Sequence, residues 1–285
     1  MKKKRNTRRK KGLRLFGLTA RALMLASAGL LLVSYLSVLV NPARAWFFTF
    51  FGLLYIPLFL LNLFLLLWAL RRRSRSLLIP LLALLPSVFF LGNNLRFSGG
   101  ADADGARTIE ILSYNVGRFA PQSGRSGLTS RQACRDSVIA YAKRSGADII
   151  CLQEYYDKDV ATMRKRLARE FPGYNMELYI NSTGHAACGN VTLSRLPVKG
   201  KGKFDFENST NLALYTDIAL GDRTVRVYNC HFESYNISPV RIIKSMGRDE
   251  ALMQETEAKM RRSLALRPKQ VEEILNDITS CPVGA

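Results

Sequence analysis

The chain of 285 residues carries 42 Lys and Arg against 22 Asp and Glu, a formal net charge of +20, and 48% of its residues are hydrophobic. Residues 1–100 hold 16 of the basic residues and no acidic residue, so the remaining residues carry 26 basic and 22 acidic side chains, a net charge of +4. This distribution argues against a wholly soluble protein. It also argues against a basic nucleic-acid-binding groove after residue 100.

Uncharged apolar segments occupy most of the first 95 residues. The first two contain 19 and 25 residues, and a helix needs ~20 to cross a bilayer. The third contains Pro80 and Pro86 and predicts a short, kinked span. A signal-peptidase-like tripeptide follows the first segment, but that segment is too long for a signal peptide and a second span follows, which predicts a retained N-terminus. The predicted spans are residues 22–40, 46–70 and 77–95.

The basic residues beside these spans predict their orientation. Residues 1–21 form a basic head, residues 71–75 contain four arginines, and the loop between the first two spans has Arg44 alone. Because cytoplasmic flanks carry the excess of Lys and Arg, we expect the N-terminus to be cytoplasmic and the chain after residue 95 to be extracytoplasmic. This pattern is typical of a multi-pass protein of a bacterial inner membrane. If the third segment does not span, the following domain is cytoplasmic instead.

A linker and a soluble domain follow the spans. Residues 96–107 are rich in Gly, Ala and Asp, as expected of a linker, and residues 108–285 form the predicted domain. Alternating residues predict a strand that ends at Asn115, and the apolar run at 148–152 predicts a strand buried on both faces. Between them, Thr129 or Ser130 begins a helix that Gly146 ends. These elements predict a strand–helix–strand unit.

The second half of the domain predicts further strands and a long helix. Gly221 and Asp222 form the turn of a hairpin. Residues 248–278 have a strongly helical pattern, and Pro268 is predicted to break that helix into two pieces. The further strands are predicted at residues 174–180, 190–194, 212–220 and 223–232.

Polar residues at strand ends are the candidates for chemistry. Glu154 follows the apolar strand at 148–152, where an unpaired carboxylate is costly and a hard divalent cation would compensate for its charge. The alternative is an ordinary glutamate at the edge of a loop. His231, with Asn229 two residues before it, follows a predicted strand and is either a catalytic residue or a structural histidine. Asn115 could bind a phosphate oxygen or a cation, or could be a turn residue.

Five cysteines occur without any C-x-x-C pair. This odd count indicates neither a zinc site nor a disulfide framework. Cys151 and Cys230 lie in predicted strands, where we expect them to be buried.

Four segments, taken in order, resemble the endonuclease/exonuclease/phosphatase family. This family has the fold of DNase I, abasic-site endonucleases, sphingomyelinases and inositol-polyphosphate phosphatases. The resemblance covers the chain from about residue 109 to its end. The segments are ILSYNV at 111–116, DIICLQE at 148–154, GNVTLSRLP at 189–197 and YNCHF at 228–232.

The resemblance implies an α/β fold in which N-terminal transmembrane helices precede a partial DNase I-like two-sheet sandwich. It further implies Mg²⁺, with Mn²⁺ as an alternative, and hydrolysis of a phosphoester in nucleic acid, phospholipid or a small molecule. Glu154 would hold the metal, Asn115 would assist the metal or the phosphate, and His231 would contact the scissile phosphate. Asn229 would help to orient the pocket.

The sequence departs from the family pattern after His231, where the family's G-D-x-N segment and its late Asp-His pair do not occur. We therefore expect residues 108–285 to form an incomplete domain, shortened at its C-terminus, and expect no substantial hydrolysis from this chain alone. Two alternatives remain open. One is a noncatalytic membrane-anchored protein that binds a partner or phospholipid, and the other is the product of a decayed gene without a stable fold.

Overall fold

The computed structural model describes residues 2–45, 47–93, 95, 108–121, 130–183, 186–234 and 250–283. The chain forms two compact units. Unit 1 consists of Met1–Ala101 with Gln254–Pro268, and unit 2 consists of Asp102–Met253 with Lys269–Ala285. The predicted linker, residues 96–107, lies outside the described residues.

Five helices form the N-terminal part of unit 1. The segment predicted as one second span is divided at Leu54 into two helices. Pro57 explains the division, because its ring would clash with the carbonyl of Leu53 in a continuous helix, whereas it fits the first turn of a new one. The helices are α1 (Lys2–Leu39), α2 (Phe48–Leu53), α3 (Tyr55–Arg71), α4 (Leu78–Leu84) and α5 (Ser87–Phe90).

One of these helices is long and apolar enough to cross a bilayer, at Gly17–Leu39 within α1. A signal sequence near the N-terminus meets the same criteria of length and composition. The apolar helical segments Tyr55–Arg71, which is α3, and Arg75–Phe90, which contains α4 and α5, are shorter.

Unit 1 buries a few polar side chains within an apolar core and exposes many apolar ones. The amide of Asn62 is fully buried and donates hydrogen bonds to the carbonyl oxygens of Ser27 (3.1 Å) and Leu58 (2.9 Å). The hydroxyls of Tyr35 and Ser87 form a second buried hydrogen bond of 2.6 Å. Large apolar side chains face outward, among them Leu32, Leu60, Phe64, Leu67, Leu82 and Phe89.

Unit 2 contains two sheets that pack against each other, with helices on the outer side of the first. The four-stranded sheet has the order β1-β2-β4-β3, in which β1 and β2 are parallel and the other pairs are antiparallel. The three-stranded sheet β5-β6-β7 is antiparallel throughout. This mixed α/β arrangement confirms the predicted DNase I-like fold class. The strands are β1 (Ile111–Asn115), β2 (Ile149–Asp157), β3 (Asn175–Thr183), β4 (Ala186–Ser194), β5 (Val198–Asp205), β6 (Leu212–Leu220) and β7 (Arg223–His231).

The strand–helix–strand unit at the start of the domain forms as predicted. Helix α6 (Arg131–Ser145) begins after Ser130, whose hydroxyl accepts a hydrogen bond from the Ala133 N–H at 3.1 Å. It ends at Gly146, whose φ of 68° is the left-handed conformation that favours glycine at this position. Together with α7 (Val160–Glu170), α6 packs on the outer face of the four-stranded sheet. The core there contains Ile139, Ile150, Leu152, Met163, Leu167 and Val191.

Two predictions about elements are wrong. The last helix, α8 (Glu250–Ser280), continues through Pro268, so the predicted break does not occur. Proline removes only one hydrogen bond from the helix, and residues on both sides keep helical geometry. Strand β2 does not end at Leu152 but extends to Asp157, so Glu154 lies within the strand and not after it.

Candidate active site

Glu154 lies in a bulge of strand β2. Leu152 pairs with Val191 and Tyr155 pairs with Gly189, so Gln153 and Glu154 together oppose a single residue of β4. Glu154 has a φ of 54°, a left-handed conformation that is uncommon for a residue with a side chain. Bulges of this kind bend a strand and redirect its side chains, and they are frequent beside active sites.

The bulge reverses the alternation of side chains along β2. Leu152 and Tyr155 both belong to the core under the helices, although residues three apart on a regular strand face opposite sides. Gln153 instead contacts Asn229 and Glu154 contacts His231, both of which lie on β7 of the other sheet. Two consecutive polar side chains are therefore available where the sheets meet.

Two other predicted site residues, Asn115 and His231, converge on the Glu154 carboxylate. The Asn115 amide nitrogen, at the end of β1, donates a hydrogen bond to Glu154 Oε1 at 2.9 Å. His231 Nε2, at the end of β7, lies 3.4 Å from the same oxygen. The side chains of Glu154 and His231 are 26% and 21% exposed, so the cluster is open to solvent on one side.

Both polar atoms of the Asn115 side chain form hydrogen bonds. Its Oδ1 accepts a hydrogen bond from the Gly117 N–H at 2.9 Å, while its Nδ2 donates to Glu154. In this geometry the amide nitrogen of Asn115 orients the Glu154 carboxylate, and the side-chain oxygen of Asn115 accepts a hydrogen bond from the backbone.

Asn229, the fourth predicted residue, lies behind the cluster and is 1% exposed. Its Oδ1 accepts a hydrogen bond from Gln153 Nε2 at 2.8 Å, and its Nδ2 donates to Val191 O (2.9 Å) and Thr192 Oγ1 (3.2 Å). In return, the Asn190 amide donates to the carbonyl oxygen of Asn229 at 3.0 Å. These bonds join the two sheets, so Asn229 acts on the site through its neighbours.

A short left-handed turn, Gly117–Phe119, follows β1 and brings a cation to the cluster. All three residues have positive φ, at 54°, 56° and 54°. The Arg118 Nε lies 3.8 Å from Glu154 Oε2, and the Arg118 side chain is 64% exposed. The sequence analysis missed Arg118, because an arginine after a strand end gives no signal of its backbone conformation.

Cysteine thiols near the site are not activated. Burial raises the pKa of the Cys151 thiol to about 11 and that of Cys230 to about 12. Burial also raises the pKa of Cys188, although the nearby Arg118 opposes this effect. All five cysteines are free thiols. Since the thiolate is the reactive form, the buried thiols are poor nucleophiles.

The donor atoms of the cluster fit a metal ion that keeps much of its hydration. Among the described residues there is no group of three or more His, Cys, Asp and Glu side chains that could hold a metal. Mg²⁺, however, often binds through one or two carboxylates together with water and substrate phosphate. Glu154 supplies one such carboxylate, and its side chain is partly exposed to solvent.

The comparisons with known proteins agree with this arrangement at the level of the family. The model of the "Endonuclease/Exonuclease/phosphatase family" matches residues 112–271, which is more than half of the chain. The chain belongs to this family. The family description names phosphoester-cleaving enzymes, in agreement with the hydrolase class expected from the sequence. A second model, "Domain of unknown function (DUF8431)", matches residues 15–94.

Several solved structures are similar to the chain at low sequence identity. TDP2 from C. elegans is 18% identical over 79% of this chain, with a TM-score of 0.38. The endonuclease/exonuclease/phosphatase from Beutenbergia cavernae is 16% identical over 48%, with a TM-score of 0.33, and sphingomyelinase C from Streptomyces griseocarneus is 19% identical over 45%, with a TM-score of 0.35. The chain spans 63%, 41% and 50% of these three proteins, respectively. No curated protein sequence matches the chain significantly.

Proposed function

We propose that this protein is a membrane-anchored, divalent-metal-dependent phosphoesterase that hydrolyses a phosphodiester or phosphomonoester. The observation that carries the proposal is the convergence of Asn115, Glu154 and His231 from three strands of two sheets. The bulge at Glu154 adds support, because a left-handed conformation at a residue with a side chain costs free energy and persists at functional sites.

Each site residue has a role that follows from its contacts. Glu154 would hold Mg²⁺ or Mn²⁺, and the bound ion would neutralise charge on the phosphate and lower the pKa of the attacking water. Asn115 keeps the carboxylate in position, and Asn229 holds β7 against β2. His231 would donate a hydrogen bond to an oxygen of the scissile phosphate.

The proposal includes a multi-pass anchor in a bacterial inner membrane, with a cytoplasmic N-terminus and an extracytoplasmic catalytic domain. Unit 1 supports an anchor because its described surface is rich in leucine, a distribution unsuited to water. A reporter enzyme that is active only outside the cytoplasm, fused after Gly100, tests the orientation. Activity of the fusion is the expected result, and an inactive but stably expressed fusion would reverse the topology.

The substrate class remains a set of phosphoesters: nucleic acid, phospholipid or a small molecule. The small net charge after residue 100 gives no preference for nucleic acid. Membrane tethering makes phospholipid as accessible as a soluble ester.

Hydrolysis of bis(4-nitrophenyl) phosphate by the protein, with any sequence that follows residue 285 included, tests the catalytic proposal. We expect E154Q to weaken Mg²⁺ binding, measured by calorimetry, and both E154Q and H231Q to lower the rate by about a hundredfold or more. The exposed Glu207 provides the matched control E207Q, which should match the wild type. A rate and a Mg²⁺ affinity that neither site substitution changes would contradict the assignment. A wild-type protein that neither binds Mg²⁺ nor hydrolyses the ester would favour the noncatalytic binding protein.

A further inference from the structure

Arg118 occupies a backbone conformation that its side chain makes unfavourable. In the left-handed region the Cβ crowds the backbone, at a cost of roughly 1–2 kcal/mol per residue. Glycine, which precedes Arg118 in the same turn, would adopt this conformation without that cost. An arginine at this position therefore needs a reason that lies in its side chain.

The turn itself is held firmly, so the position of Arg118 is determined by its surroundings. The Phe119 and Ala120 N–H groups donate hydrogen bonds to Val116 O (2.9 Å) and Gly117 O (3.0 Å). Phe119 is 1% exposed and packs edge-on against Tyr155, with ring centroids 5.0 Å apart. Because Tyr155 directly follows Glu154, this aromatic pair ties the turn that carries Arg118 to the bulge that carries Glu154.

The ion pair between Arg118 and Glu154 does not by itself explain the arginine. Its distance is 3.8 Å and the arginine side chain is 64% exposed, and a pair of this kind contributes little to stability. The two cationic or proton-donating groups, Arg118 and His231, lie at different oxygens of the Glu154 carboxylate, Oε2 and Oε1 respectively. An anion bound beside Glu154 would therefore accept hydrogen bonds from Arg118 on one side and from His231 on the other.

We propose that Arg118 binds the nonbridging oxygens of the substrate phosphate, on the side of Glu154 away from His231. This inference rests on the proposed phosphoesterase function and adds a substrate-binding residue to it. The planar guanidinium can donate two parallel hydrogen bonds to a phosphate, whereas the ammonium group of lysine acts as a point charge. The site would thus recognise a phosphate group that has two accessible nonbridging oxygens.

Binding of inorganic phosphate to the full chain in lipid nanodiscs, measured by calorimetry with and without Mg²⁺, tests the proposal. We expect R118M to weaken phosphate binding about tenfold or more under both conditions, and R118K to restore it only in part. R118G should lose phosphate binding while its melting temperature stays the same or rises, because glycine relieves the backbone strain. The exposed Arg144 provides the control R144M, which should bind phosphate as the wild type does.

The outcomes separate this inference from the function on which it rests. Wild-type protein that does not bind phosphate, or R118M that binds it as tightly as the wild type, overturns the role of Arg118. A melting temperature that falls in R118G, with phosphate binding intact, assigns the residue a structural role instead. Failure of the metal proposal appears separately, as an E154Q variant with unchanged Mg²⁺ affinity.

Discussion

Substitution of Asn229 by leucine tests whether the buried asparagine joins the two sheets of unit 2. Leucine has a similar volume but forms no hydrogen bond, so the variant N229L loses the bonds to Gln153, Val191 and Thr192. At ~1 kcal/mol for each bond, the expected loss is about 3 kcal/mol of unfolding free energy. That loss is a large part of the unfolding free energy of about 5–15 kcal/mol that is typical of a domain.

Urea unfolding of the detergent-solubilised chain, followed by tyrosine fluorescence and circular dichroism, measures the loss. The matched control is N181L, because Asn181 is exposed and its amide donates a single hydrogen bond, to the carbonyl oxygen of Thr210. We expect the control to change the unfolding free energy by less than ~0.5 kcal/mol. If N229L is no less stable than N181L, the hydrogen bonds between the sheets do not hold the site together and the reasoning is refuted.

Three further predictions concern the turn, a helix cap and the thiols. F119A should lower the unfolding free energy by about 3 kcal/mol or more, because Phe119 is fully buried, and should also weaken phosphate binding. Hydrogen bonds from the first turn of α7 lower the pKa of the Asp159 carboxyl in the folded protein. The charged Asp159 side chain therefore stabilises the protein fully above the unfolded-state pKa of about 4, and this stabilisation is lost as the pH falls through the folded-state pKa. D159N, which keeps a capping side chain without the charge, should therefore show a weaker acid dependence of its melting temperature. Iodoacetamide at pH 8 should leave Cys151 and Cys230 unmodified in the native protein, as read by mass spectrometry, since burial raises the pKa of both thiols.

Each of these three predictions can be contradicted by a specific measurement. Y141A, which removes an exposed aromatic ring, is the control for F119A, and equal losses of stability in the two variants would show that burial of Phe119 is unimportant. A D159N melting profile that follows the wild type at every pH would exclude Asp159 as a source of acid sensitivity. Rapid native labelling of Cys151 or Cys230 would show that these strands open easily.

The types of residue at the site could be predicted from the sequence, but their geometry could not. Glu154 and His231 stand out because polar side chains beside apolar strands are costly unless they are paired. The bulge is invisible in the sequence, since a strand pattern alone places Gln153 and Glu154 on opposite faces. For the same reason the hydrogen bonds of Asn115 to Glu154 and Gly117, which orient its side chain, could not be predicted, and its role as a metal or phosphate ligand stays a prediction.

Local signals explain which elements could be recognised. Ser130 and Gly146 bound α6 because a capping hydroxyl and a left-handed glycine are strong terminal signals. Strand β5 was not predicted, because Gly200 and Gly202 occupy its inward positions and lysines its outward ones. Packing favours glycine at Gly200, because a Cβ there would lie 2.8 Å from Asp217 Oδ2.

The bulge in β2 also limits how the gene can change. Removal of one residue between Leu152 and Tyr155 would restore a regular strand, in which these two side chains keep the same face because they would then be two residues apart. Only one residue would then lie between them, so either the contact of Gln153 with Asn229 or that of Glu154 with His231 would be lost, and a three-nucleotide deletion here would remove part of the site although the core residues stay in place. At the hairpin turn around Gly221, by contrast, a change in length moves no residue of the site. Natural variants of this protein should therefore differ in length at that turn long before they differ within the few codons around Glu154.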